Sequence, residues 1–225
     1  MVTRLWLYLN SSIVKKQIMG FTGLFWCIFL TGHLAGNSLL FIGPEAFNTY
    51  AYKLTSNKAL FYTAEFVLLF FFISHLAMAM KLTIENKIAR PDGYYMKQAT
   101  GRGSTFASST MPYTGLIILV FVITHLLHFR FGPVYMITHS GVEMRDVYRV
   151  LVEYFQSPLA VGWYIFCIAA VGVHTSHGLW SAFQSLGFSH PRYTPAVSCI
   201  SKIYGAIIFL GFSALAIFCY LQGGN

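Results

Sequence analysis

"GLIILVFVITHLLHFR", residues 115–130, decides how this chain is read. Ten residues without a charge lead up to His125, and His128 and Arg130 follow within two turns. A run this long and this apolar normally excludes such groups. An ionisable side chain inside a membrane span is costly, so it is a functional candidate by default.

The same pattern recurs along the chain. Apolar runs fall at about 18–41, 59–82, 113–131, 159–183 and 203–221. At ~1.5 Å per residue each is about 28 Å or longer, enough to cross the hydrocarbon of a bilayer. The composition agrees: of 225 residues, 56% are apolar and only 10% charged, against roughly 25% charged in a soluble domain. The expectation is an all-α integral membrane protein, one transmembrane domain over 1–225, with five transmembrane helices. The net charge of +8 does not point to nucleic acid. The basic residues sit in loops between apolar runs, where they suit loop anchoring and anionic lipid. The segment "SSIVKKQIMG" leads into an apolar run long enough to span, with no small-residue cleavage site after it, so it is not read as a signal peptide. The four cysteines lie in or beside apolar runs without metal-ligand spacing and read as small buried residues. No internal repeat stands out.

Orientation follows from lysine and arginine. With flanking residues, 1–17, 83–112 and 184–202 carry ten of them, and the opposite side carries five. The positive-inside rule then places the N-terminus in the cytoplasm. Two outer connections read as surface helices. "GPEAFNTYAYKL" (43–54) has a proline near its start, and "GVEMRDVYRVLVEYF" (141–155) has apolar residues at helical spacing. The long inner loop is basic and rich in Gly and Ser, a surface for docking a soluble partner.

Six of the eight histidines lie in spans: His33, His75, His125, His128, His174 and His177. His33, His75, His125 and His174 each sit about two-thirds of the way along one of the first four spans; the fifth span has none. Adjacent spans run antiparallel. Two-thirds along the first or third is near the outer face; two-thirds along the second or fourth is near the inner face. His33 and His125 therefore share an outer layer, and His75 and His174 an inner one. Two neutral imidazoles facing each other in an apolar four-helix bundle suit a b-type haem, one on each axial position of the iron. Small residues beside them (Gly32, Gly36, Ala77, Ala79, Gly172 and Gly178) would let a macrocycle approach the backbone, or would serve close helix packing. A histidine-based proton transporter is the competing class. A metal site in the bundle core lacks carboxylates at these depths. His128 and His177, one turn further on, suit haem propionates, quinone or interfacial water.

The stretches "LTGHLAGNSLL…GPEAFNTY", "EFVLLFFFISHLAMAM", "GLIILVFVITHLLHFR" and "SPLAVGWYIFCIAAVGVHTSHGLWS" resemble, in order and spacing, the single-polypeptide, di-haem cytochrome b subunit of succinate:quinone oxidoreductases. The resemblance covers nearly the whole chain. It implies a multi-pass subunit of a prokaryotic inner (cytoplasmic) membrane that anchors a succinate dehydrogenase or fumarate reductase. Its partners would be a flavoprotein with FAD and an iron–sulfur subunit, and a dimer of the complex is compatible with it. It implies two haem b groups, ligated by His33 with His125 and by His75 with His174, and electron exchange with a membrane quinone, commonly menaquinone. The two histidine layers lie about 13–16 Å apart along the helices, compatible with electron exchange between haems. The chain carries no flavin motif, cluster ligands or dicarboxylate site of its own. A cytochrome b anchor of a hydrogenase or formate dehydrogenase is the alternative within enzymes.

Glu65 is the one acid well inside a span, about 15 Å further out than His75. Burial there would favour a proton-carrying carboxyl, and the resemblance implies a part in quinol chemistry. At the inner edge, Lys15, Lys16, Lys81 and Arg102, with Ser11, Ser12 and Gln17, are candidates for haem propionates or simple interfacial anchors.

Overall fold

The structure is a computed structural model and describes residues 10–89 and 105–223. Five helices in it are long and apolar enough to cross a membrane: Ser12–Phe41, Lys58–Ile88, Phe106–Arg130, Pro158–Ser185 and Thr194–Gln222. They match the five expected spans in number and order. In chain order, helix α1 is Ser12–Asn37, continued by a 3₁₀ turn over Ser38–Phe41; α2 is Pro44–Ser56 and α3 is Lys58–Ile88. Next come α4, Phe106–His125, with a π turn over Leu126–Arg130, and then strands β1, Met136–His139, and β2, Val142–Arg145. Helices α5, Val147–Tyr154, α6, Pro158–Ser185, and α7, Thr194–Gln222, complete the chain.

Local chemistry sets most of these starts. The hydroxyls of Ser11 and Ser157 accept from Val14 N and Ala160 N, and Asn57 accepts from Leu60 N. Thr105 and Ser108 form a reciprocal capping box at α4. Pro44 and Pro158 stand in the first turn, where a missing N–H costs nothing. Between α1 and α2 the chain turns at Gly43, whose φ of +133° only glycine adopts readily.

The helices pack as a chain of neighbours. Helix α6 lies against α1, α4 and α7, and α3 lies against α1. The closest approach joins α6 to α7. A Cβ on Gly172 would stand 2.9 Å from the Gly205 carbonyl oxygen, so the backbones meet at paired glycines. Gly36 likewise faces the Tyr50 ring. Gly36 and Gly172 thus serve packing between protein elements, not the approach of a macrocycle that the sequence left open for them. Helix α3 stands apart, with no buried residue. The apolar core gathers at the outer end, where Leu40, Phe47, Leu151, Phe155, Tyr164 and Leu215 pack the surface helices on α6 and α7.

Helix α2 shows that the first expected outer connection is helical. The second needs correction: only Val147–Tyr154 is helical, and 142–145 pairs with 136–139 as an antiparallel hairpin. The turn explains it. Ser140 (φ 51°) and Gly141 (φ 78°) both take positive φ, as a two-residue hairpin turn requires. Asp146 then starts the helix by accepting from Arg149 N.

Candidate functional site

The four matched histidines come together in two pairs. His33 on α1 and His125 on α4 have ring centres 5.9 Å apart, crossing at 82°. His75 on α3 and His174 on α6 have ring centres 6.4 Å apart, crossing at 67°. A metal–imidazole nitrogen bond is about 2 Å and the ring centre lies roughly 1 Å behind it, so two trans ligands on one iron put ring centres about 6 Å apart. Both pairs meet that spacing. Among the described residues no three His, Cys, Asp or Glu side chains group as a metal site. Pairs are what remain, and two axial positions are what porphyrin iron offers a protein.

The two layers are walled differently. Around the outer pair the walls are aromatic. Phe29 stacks on His33 at 5.3 Å, Phe212 of α7 lies 5.6 Å from it, and Phe121, Phe129 and Tyr164 surround His125. His125 Nδ1 is buried without a partner, and His33 Nδ1 meets only Asn37 Nδ2 at 3.3 Å, one turn along its own helix. Around the inner pair the contacts are polar. His75 Nδ1 lies 3.0 Å from Thr22 Oγ1, and His174 Nδ1 lies 3.0 Å from Thr114 Oγ1. Both threonines are buried, each on the helix beside its histidine's own, and the next residues, Gly23 and Gly115, bring backbone against His75 and His174. An imidazole bonded through Nδ1 is left with Nε2 for a metal, so the donor set fits two bis-histidine haems.

The remaining candidates divide. Lys15 is 6% exposed and donates to Glu85 Oε1 at 2.5 Å, and Lys81 donates to Asn10 Oδ1 at 2.8 Å. Both basic groups therefore have protein partners that the sequence did not indicate. Ser12, Lys16 and Gln17 are exposed on the first turns of α1, and Arg102 lies outside the described residues. Glu65 is not the lone buried acid expected. Its side chain is 37% exposed and is gripped by Arg130, with Nε on Oε1 at 2.5 Å and Nη2 on Oε2 at 3.3 Å. Burial is therefore not what would make it a proton carrier.

Comparison with known proteins gives a relationship. Over 197 residues, 86% of this chain and 89% of the relative, it is 27% identical to the succinate dehydrogenase cytochrome b558 subunit of Bacillus subtilis (strain 168). The chain is thus similar to a succinate dehydrogenase cytochrome b subunit. No protein-family model matches it, and no solved structure does. The relationship agrees with the family resemblance of the motifs.

Set against that cytochrome b relationship, two further histidines have distinct places. His128 stands in the π turn with its ring 4.3 Å from Tyr154 and its Nδ1 buried without a partner. It is covered by α5, and with Tyr135, Glu153 and Tyr154 it lines a cavity of about 350 Å³ at the outer end. His177 is half-buried, 5.7 Å from Trp180. The sequence reading missed Thr22, Gly23, Thr114 and Gly115, and also Arg130 as the partner of Glu65. A signal existed: "TGL" stands eleven residues before His33 and again eleven before His125.

Proposed function

We propose that the chain is the di-haem cytochrome b that anchors a succinate dehydrogenase or fumarate reductase complex in a prokaryotic cytoplasmic membrane. Electrons would pass between membrane quinone, with menaquinone the expected one, and the iron–sulfur subunit of the complex. The observation that carries this reading is the meeting of four span histidines as two pairs, at the 5.9 and 6.4 Å that bis-histidine ligation needs.

A bound haem b supplies reversible one-electron exchange, which no side chain of this chain offers. The residues do the rest. His33 with His125, and His75 with His174, hold the iron from helices whose depth fixes one layer near each face. The aromatic wall of the outer layer excludes water. Glu65, at the outer end of α3, is the candidate acceptor of the protons that quinol releases there, and Arg130 orients its carboxylate. The flavoprotein with FAD and the iron–sulfur subunit dock on the inner side, where the basic loops lie, and dicarboxylate chemistry belongs to them.

The test is a redox difference spectrum with haem counting on the purified complex. Two haems per chain are expected. His33→Leu or His125→Leu should remove one, and His75→Leu or His174→Leu the other. A wild type with fewer than two haems defeats the di-haem reading, and loss of the same haem from both layers' variants defeats the pairing. Co-purification of a nickel or molybdenum subunit in place of a flavoprotein would move the chain to the hydrogenase or formate dehydrogenase anchors.

A further inference from the structure

The outer histidines are held by rings, whereas each inner histidine meets a threonine from a neighbouring helix. Those hydroxyls have little freedom. Thr22 Oγ1 lies 2.8 Å from the Ile18 carbonyl oxygen and 3.1 Å from that of Met19, and Thr114 Oγ1 lies 3.1 Å from the carbonyls of Thr110 and Met111. A hydroxyl has one proton to give and two lone pairs to offer. With the proton spent on the helix's own carbonyl, a lone pair faces each imidazole, an arrangement in which His75 and His174 donate from Nδ1. Thr22 is 3% exposed and Thr114 8%, so water does not compete for either bond.

The spacing explains why the same helices serve both layers. Eleven residues make three turns, returning to the same helix face about 16 Å along the axis. Thr22 and His33 on α1, and Thr114 and His125 on α4, are each eleven apart. Each of these helices thus offers a histidine to the outer layer and a threonine to the inner one, from a single face. Helices α3 and α6 supply the inner histidines that the threonines receive.

We propose that Thr22 and Thr114 are positioning residues of the inner haem: each accepts the Nδ1 proton of one axial histidine and so fixes its tautomer, its ring plane and the basicity of Nε2. This rests on the di-haem reading. A hydrogen bond from the far ring nitrogen raises ligand basicity and favours the oxidised iron, so its loss raises the inner haem's midpoint potential. The outer haem, whose ligands lack such acceptors, is the internal control.

Potentiometric titration of both haems in the purified complex tests this, with His75→Leu identifying the inner component. Thr22→Val and Thr114→Val should each raise the inner midpoint by the equivalent of a threefold or greater change in the oxidised-to-reduced ratio, with the outer haem unmoved. Thr22→Ser and Thr114→Ser, which keep the hydroxyl, should restore the wild-type value. If valine costs the inner haem altogether, serine should retain it. Valine variants with wild-type potentials, an equal shift of both haems, or serine variants as altered as valine would each overturn the proposal. If His75→Leu leaves both haems in place, the assignment of His75 as an inner-haem ligand falls, a result separate from any of these.

Discussion

Glu65 shows what a single side chain adds to its position. At the outer end of α3 it is forked by the guanidinium of Arg130, which also lies over the Phe61 ring at 5.1 Å. A fork holds both carboxylate oxygens in a fixed plane. If this carboxylate takes protons from quinol, glutamine at 65 keeps the shape and one acceptor for Arg130 but cannot titrate. Glu65→Gln should therefore leave both haem spectra and dicarboxylate chemistry with soluble carriers intact. Quinone-linked turnover should fall by about tenfold or more, on losing a contribution that for general acid–base catalysis is about 10²–10⁴-fold. Turnover within about twofold of wild type would reduce Glu65 to a structural partner of Arg130. The acid itself was legible in the sequence, because a carboxylate inside an apolar run is visible by eye; its partner was not. Arg130 counts as an ordinary outer anchor until the π turn over 126–130 sets its direction. The four histidines were legible for the same reason as the acid, since depth in a membrane is a count from an apolar edge. Thr22 and Thr114 were not, because a span threonine ordinarily bonds its own helix, and both of these do that as well.

At the scale of elements, legibility followed the driving force. The five spans are set by length and hydropathy, both local quantities. The outer segment 141–155 is amphipathic by either period over so short a stretch, and only the Ser140–Gly141 turn decides for a hairpin over its first part. What ties this segment to the rest is Asn48 of α2, wholly buried. Its Nδ2 donates to Asp146 Oδ1 at 2.8 Å and its Oδ1 accepts from Tyr148 N at 2.9 Å. The same Asp146 oxygen accepts from Arg149 N at the start of α5. Asn48→Ala leaves the half-buried Tyr148 N–H without its side-chain acceptor and takes from Asp146 one of its two donors, the Arg149 N–H remaining, so the cost is about 1–3 kcal/mol for the one group left unsatisfied. The expected outcome is a lower unfolding temperature of the purified protein, with faster proteolysis between 132 and 157. Asn48→Asp is the informative companion. It keeps the acceptor for Tyr148 N but sets a second carboxylate against Asp146, and should be no better than alanine. An aspartate variant as stable as wild type would show that the Tyr148 bond alone matters.

Over the whole molecule, the unequal packing of the spans singles out α3. Helices α1, α4, α6 and α7 are joined through α6, whereas α3 buries no residue. It is held along its length by a few specific contacts: Lys15 on Glu85 at the inner end, Thr22 on His75, Phe25 stacked on Phe71 at 3.9 Å, and Arg130 on Glu65 at the outer end. An ion pair as open as Arg130–Glu65 contributes little, about 0–1 kcal/mol. On the di-haem reading the strongest tie of α3 is His75, joined through iron to His174 of α6. Haem then stabilises the fold unevenly, since a ligand that binds only the native arrangement stabilises the elements it links. Protein made under haem limitation should show faster backbone hydrogen exchange in α3, while α6 and α7, packed through Gly172 and Gly205, keep their protection. His75→Leu should reproduce that pattern with haem supplied, and His33→Leu, whose haem links α1 to α4, should not. Uniform loss of protection across all five spans would instead make haem a condition for folding the whole bundle, with α3 no less secure than its neighbours.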